Sequence, residues 1–254
     1  MRRNAIALVY TCLILFILSA ISVQAAIDPQ EEDNSSFINS YEEDLTGDGF
    51  REYFTLNGTL LTDKSKFYRD VWLDISSPFS HQWKVSFEGG YDPDLQLIDL
   101  THDQTFDLLY SVAKDENKHQ FNYQLYTLKN NVVKQLPIPK HNHIQGKFIN
   151  DFKIELQINP NMKPIIKDIS NNKHSYIEEG LYEENGKLIE EKNLKIPPIE
   201  KLEPVLISKS KGYGLKSYQP IKGVNNEDVF GEIITLWYYQ KDRWLVLQTD
   251  WIER

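Results

Sequence analysis

Asp44-Leu45-Thr46-Gly47-Asp48-Gly49-Phe50-Arg51-Glu52 runs directly into the alternating stretch Tyr53-Phe54-Thr55-Leu56. Side-chain oxygens fall at loop positions 1, 3, 5 and 9, and a glycine stands at position 6, where the chain must turn sharply. That spacing wraps a hard cation such as calcium, which takes six to eight oxygens from carboxylates, carbonyls and water. The predicted ligand set is Asp44, Thr46, Asp48 and Glu52 through their side chains and Phe50 through its carbonyl. The expected affinity is weak, on the order of 10⁻⁴ to 10⁻³ M, as in extracellular modules. The same residues also make a metal-free turn in which Asp44 and Asp48 cap backbone N–H groups. Both readings stand at this point, and in either the loop stabilises rather than reacts.

The loop recurs fifty-five positions on as Asp99-Leu100-Thr101-His102-Asp103-Gln104-Thr105-Phe106-Asp107, again followed by an apolar strand, Leu108 to Val112. Asp99, Thr101, Asp103 and Asp107 keep the oxygen-bearing positions, but Gln104 replaces the turn glycine. A residue with a Cβ is strained there if the loop needs a left-handed backbone. A degenerate loop held by hydrogen bonds is therefore favoured over a second ion.

Working outward, alternation predicts strands throughout. Arg51 to Leu56 is followed by an Asn57-Gly58 turn and a return strand over 59–62. Val71-Leu73-Ile75 and Trp83-Val85-Phe87 form the inner faces of a hairpin around Pro78. Phe121 to Leu128 turns at Lys129-Asn130-Asn131 into Val132 to Leu136. A meander of short strands is expected over 151–193, including His174 to Ile177. Ile196-Pro197-Pro198 breaks the pattern and marks a loop or a subdivision near 194–203. Pro204 to Ile207, Leu215 to Gln219, Gly231 to Tyr239 and Trp244 to Gln248 are four further strands. The last two meet at a tight Gln240-Lys241-Asp242-Arg243 turn, and their aromatics are expected to close the core. No sustained helical period occurs, so helix content should be low.

The whole chain has 254 residues, 41% of them hydrophobic and 26% charged, enough to bury a sizeable core. Its 14 Tyr, 12 Phe and 5 Trp favour strands. The net charge is -9, and -11 without Arg2 and Arg3. Such a surface repels phosphate backbones, which argues against nucleic acid as a partner.

Arg2-Arg3, the apolar run from Ala5 to Val23 and the Val23-Gln24-Ala25 stretch read as a secretory signal over 1–26, cleaved or retained as an anchor helix. Charge on its two sides places the body outside the cytoplasmic membrane. Membrane contact is expected only through this segment, if it is uncut. Residues 27–40 read as a polar tether, and 41–254 as the folded body. The only cysteine, Cys12, lies in the apolar run, so the body has no thiol for a disulfide, a nucleophile or a zinc site.

The Asp44–Glu52 loop and its weaker copy resemble the calcium-loop repeats of the FG-GAP and VCBS type found in integrin-like β-propellers. The chain is similar to small secreted VCBS-repeat proteins of Gram-positive bacteria. In that pattern a third loop falls at Leu206 to Gly214, which carries no carboxylate. The resemblance implies an all-β repeat fold, a short or irregular propeller-like architecture or else an irregular β-sandwich, with a non-catalytic role.

No hydrolase, phosphate-loop or dinucleotide motif is present. His141-Asn142-His143 places two imidazoles on one face of a strand, although an exposed loop suits them better. Trp72, Trp83 and Trp251 suit either core or sugar stacking. The leading expectation is an exported, non-enzymatic binding or structural module at the cell envelope, with a protein or cell-wall polymer as partner. The alternatives are an envelope-glycan hydrolase using paired carboxylates and an envelope inhibitor without an ion.

Overall fold

The computed structural model describes residues 35–140, 143–225 and 228–253. The leader, Cys12, the first part of the tether and His141 lie outside these residues. Strands β1 (Ser35–Glu43), β2 (Glu52–Leu60), β3 (Phe67–Ser76) and β4 (Gln82–Phe87) form an antiparallel meander. A second follows with β5 (Gly90–Ile98), β6 (Asp107–Ala113), β7 (Phe121–Lys129) and β8 (Val132–Leu136). The two belong to one eight-stranded sheet because β3 also pairs with β5, over Phe67–Tyr91 and Tyr68–Gly90. Next come a three-stranded sheet of β9 (Gln145–Ile149), β10 (Lys153–Gln157) and β11 (Ile165–Asp168), and a short helix α1 (Lys173–Glu178). A third meander ends the chain with β12 (Lys201–Ser208), β13 (Gly212–Lys222), β14 (Val229–Gln240) and β15 (Arg243–Glu253). Among the described residues strand makes up 58% and helix 4%, so the all-β expectation holds, and no sheet there closes into a barrel.

Period-2 alternation puts one face of each meander into a shared core. Phe54, Leu56, Val71, Leu73 and Ile75 of the first meander pack against Leu108, Tyr110, Val112 and Leu128 of the second. The opposite face of the second meander, with Leu109, Leu125 and Leu136, packs against Leu202, Leu215, Trp237 and Tyr239 of the third. The middle meander is therefore covered on both sides, and β6 is buried along almost its whole length. Ile221, Phe230 and Ile233 of the third meander join Phe148, Ile154, Leu156 and Tyr176 in a separate core under the three-stranded sheet.

The corner from β4 to β5 carries the chain from the first meander to the second. Glu88 is pinned there: its carbonyl accepts the Tyr110 hydroxyl at 2.8 Å and its N–H donates to Gln124 at 2.7 Å. At Gly89 a Cβ would stand 2.3 Å from the Tyr68 carbonyl oxygen and 2.4 Å from that of Arg69. Only glycine lets the two backbones approach so closely.

Several expectations are corrected. The Asn57-Gly58 pair is no turn: β2 runs straight through it and pairs on both sides, with β1 and β3. Gly58 instead admits the Tyr68 ring, which a Cβ would meet at 2.5 Å. The tether ends before Ser35, because residues 35–40 belong to β1 and cover the edge of β2. His174 to Ile177 is helical, with Tyr176 as its buried residue. β5 was not anticipated because Pro93 interrupts it; the proline sits in a bulge between Tyr91 and Asp94 that needs no ladder N–H. The hairpins at Asn130-Asn131 and Lys241-Asp242 form as expected, all four residues having positive φ of 52 to 62°.

Candidate functional site

The two acidic loops occupy the same place in their meanders, between first and second strand, and fold alike. In the first, Asp44 accepts the N–H groups of Gly47 at 2.7 Å and Gly49 at 2.8 Å. Asp48 accepts that of Phe50 at 2.8 Å. Glu52, fully buried, turns inward to accept the Leu45 N–H at 2.8 Å and the Thr46 hydroxyl at 3.4 Å. In the second, Asp99 accepts the N–H groups of Asp103 and Gln104, and Asp103 that of Thr105. Asp107 accepts the N–H groups of Leu100 and Thr101, both at 2.8 Å.

Glycines at positions 4 and 6 of the first loop, Gly47 and Gly49, have φ of +77 and +88°; their counterparts His102 and Gln104 have +62 and +72°. The copy thus holds a left-handed backbone without glycine, a conformation that costs an L residue about 1–2 kcal/mol. His102 has a compensating contact, stacking on Tyr238 with ring centroids 4.4 Å apart.

These bonds bear on the expected calcium set of Asp44, Thr46, Asp48, Phe50 and Glu52. Both oxygens of Asp44 and of Glu52 face donors of the loop itself, and Asp48 caps the exposed end. Among the described residues no three carboxylates, imidazoles or thiols gather to hold a metal ion. The three acids form a hydrogen-bonded clasp. The second loop adds a cation of its own, Lys129, whose Nζ lies 2.7 Å from Asp103.

The turns also abut. A Cβ on Gly47 would stand 2.8 Å from Thr105 of the second loop, and one on Gly212, which opens β13 just after the β12–β13 turn, 3.0 Å from His102. The three first turns of the three meanders therefore stack along one rim. Position 2 of each loop, Leu45 and Leu100, is fully buried, the first in the core between meanders one and two and the second in that between two and three. Sequence reasoning missed these leucines by weighing only the oxygen-bearing positions. The repeated Asp-Leu-Thr triplet was the available signal.

Burial pushes the Asp107 carboxyl up from its ordinary value to about 6, against the pull of the Thr101 and Leu100 N–H groups. The folded state then binds this proton more tightly than the unfolded chain. The resulting stability is present at low pH and is lost as pH rises through about 6. Between about pH 4.5 and pH 8 the loss is roughly 2 kcal/mol. Asp107→Asn removes the titration, so the stability of the variant relative to wild type, from urea unfolding, should rise by that amount from the lower to the higher pH. A pH-independent difference between the two proteins would refute this assignment. Burial likewise pushes His102 down, more than Asp99 and Asp103 pull it up.

Away from the rim, a cavity of about 620 Å³ opens between the second meander, the segment leading into β12, and β13, with Gln219 on its wall. Beside it lies a smaller polar groove holding Asp92, Asp94 and Glu203. Lys118 pairs with Asp92 at 3.0 Å, and Lys201 together with the Tyr218 hydroxyl holds Glu203 below the usual carboxylate range. His143 is exposed. Trp72 donates to Asp74 at 2.7 Å under Lys84, Trp83 donates to the Asn131 carbonyl, and Trp251 packs against the core beneath the three-stranded sheet. Among the described residues no helix is long and apolar enough to cross a membrane.

The third meander and the sheet before it form the part of the chain with a recognisable relative. Residues 142–252 match the family model of the YybI C-terminal domain. The match opens in the connection between β8 and β9 and takes in α1 and the third meander as far as Ile252, leaving both acidic loops outside it. No curated protein and no solved structure matches the chain significantly.

Proposed function

We propose that this chain is an exported, non-enzymatic β-repeat protein that acts as a binding module at the outer face of the cytoplasmic membrane. In this reading the three meanders are short propeller-like blades stacked without closing, and the segment carrying β9 to α1 is an insertion that the YybI C-terminal domain match includes. The observation that carries it is the alignment of equivalent turns, Gly47 against Thr105 and His102 against Gly212, with a leucine plug behind each acidic loop. Such a stack gives a rigid scaffold whose surfaces and clefts are free to recognise a partner. The basic and apolar leader and the thiol-free body support export.

The partner is taken to be a cell-wall polymer or an envelope protein. Cosedimentation of the chain with purified cell walls, alongside protease protection of whole cells, tests both parts. Retention in the cytoplasm would overturn the export, and hydrolysis of envelope glycan fragments would overturn the non-enzymatic role. The acidic loops are assigned a structural role that needs no ion. Added calcium should leave the melting temperature unchanged, and a rise abolished by Asp48→Ala would restore the ion.

A further inference from the structure

The first meander has a second face, turned away from the core, whose layout follows from the ladder register, since residues directly opposite on neighbouring strands share a face. Tyr53, Ser76 and Gln82 form one row across β2, β3 and β4, and Thr55, Asp74 and Lys84 form the next. These six residues line one groove of about 470 Å³. Asp74 stands in the middle strand with its side chain fixed: Oδ2 accepts Trp72 Nε1 at 2.7 Å and Asn57 Nδ2 at 3.1 Å. Oδ1 accepts no hydrogen bond from a described residue, and Lys84 Nζ lies 3.9 Å from it. The Asp74 and Lys84 side chains keep 49% and 60% of their surface exposed, so a ligand reaches both. Two nearby tryptophans are engaged, Trp72 under Lys84 and Trp83 against His81, which leaves Tyr53, 54% exposed, as the open ring of the groove. Past the ends of the same strands, Phe50 and Phe79 are exposed to a similar extent and meet edge to face with ring centroids 4.9 Å apart.

We propose that this groove binds an uncharged glycan: one sugar ring lays its C–H face on Tyr53 and turns its hydroxyls to Asp74 Oδ1, Lys84 and Gln82, and the chain runs on over Phe50 and Phe79. A pyranose has an apolar face and a rim of hydroxyls, which matches an open aromatic ring set among polar side chains. A purely apolar partner would strip water from Asp74, Lys84 and Gln82 and give nothing back. A polyanion is repelled by the net charge of -9 and by exposed Glu42, which flanks Tyr53 in the same row on β1. Asp74 is the only carboxylate among the described lining residues, so the groove lacks the pair that glycoside cleavage uses. The assignment rests on the reading of the chain as a binding module and commits that module to a glycan.

Calorimetric titration of the full chain with N-acetylchitotetraose, cellotetraose and poly(glycerol phosphate) tests it. At least one of the two neutral oligosaccharides should bind, and the polyanion should not. Tyr53→Ala should weaken that binding about fivefold by removing the stacking ring. Asp74→Ala should weaken it about tenfold, the worth of a hydrogen bond to a charged acceptor. Tyr213→Ala, at a ring 41% exposed on β13, is the control and should change nothing. Gln82→Ala, on the exposed side of β4, should cost about fivefold and keeps the test available if Asp74→Ala fails to fold. Failure of both neutral oligosaccharides to bind, tighter binding of poly(glycerol phosphate), or an affinity that survives Tyr53→Ala and Asp74→Ala would overturn the proposal. If cosedimentation with cell walls persists in that case, the glycan groove falls and the binding-module reading stands.

Discussion

Leu100→Ala should destabilise the protein by about 3–5 kcal/mol, lowering its melting temperature by roughly 10 °C. Leu100 is fully buried at position 2 of the second acidic loop, in the core that joins the second meander to the third. Truncation removes its transfer free energy and leaves a cavity between two sheets held in place by their backbone ladders, which limits collapse. Phe106, six residues on in the same loop and 38% exposed, is the control: its truncation should cost under about 1 kcal/mol. Urea unfolding followed by tryptophan fluorescence measures both. A Leu100→Ala cost no larger than that of Phe106→Ala would show that the loop is not plugged into the intersheet core.

Glu52→Ala should cost about 3 kcal/mol, while Glu52→Gln recovers most of that loss. The alanine leaves the buried Leu45 N–H without an acceptor and removes a charge-assisted bond; the glutamine keeps an oxygen in the same place. Asp44→Ala should cost only about 1 kcal/mol, because Gly47 and Gly49, whose N–H groups it caps, are exposed and water takes over. This ranking distinguishes a clasp from an ion site. Shared coordination would make the alanine variants of Asp44, Asp48 and Glu52 comparably harmful, and only in the presence of calcium. Melting curves of the three variants with calcium and with chelator decide between the two.

Much of the architecture could be read along the chain because strand alternation is a local property. Val71, Leu73 and Ile75 face inward as their spacing requires, and the Asn130-Asn131 and Lys241-Asp242 turns adopt the left-handed backbone that their side chains tolerate. The kinship of the two acidic loops was legible in the same way, from equal spacing of like side chains. Local signals misled where a neighbour outweighed them. Asn57-Gly58 reads as a turn by itself but lies in β2, between two partner strands that satisfy its ladder and beside a Tyr68 ring that needs the missing Cβ. His174 to Ile177 reads as one short strand of a meander, yet helix α1 places the Tyr176 hydroxyl 2.7 Å from Asp228, fifty-two residues away.

The sequence by itself determined the all-β class, the recurrence of one loop in two meanders and the thiol-free composition of the body, because each follows from side-chain period, spacing or count. Only the tertiary structure decided where the carboxylates of the recurring loop point. The direction of the Glu52 and Asp107 carboxylates, inward to buried backbone N–H groups, depends on which donors are left without water once the sheets pack. Likewise the cleft beside Gln219 exists only because β13 and the second meander, some eighty residues apart in the chain, face one another across it.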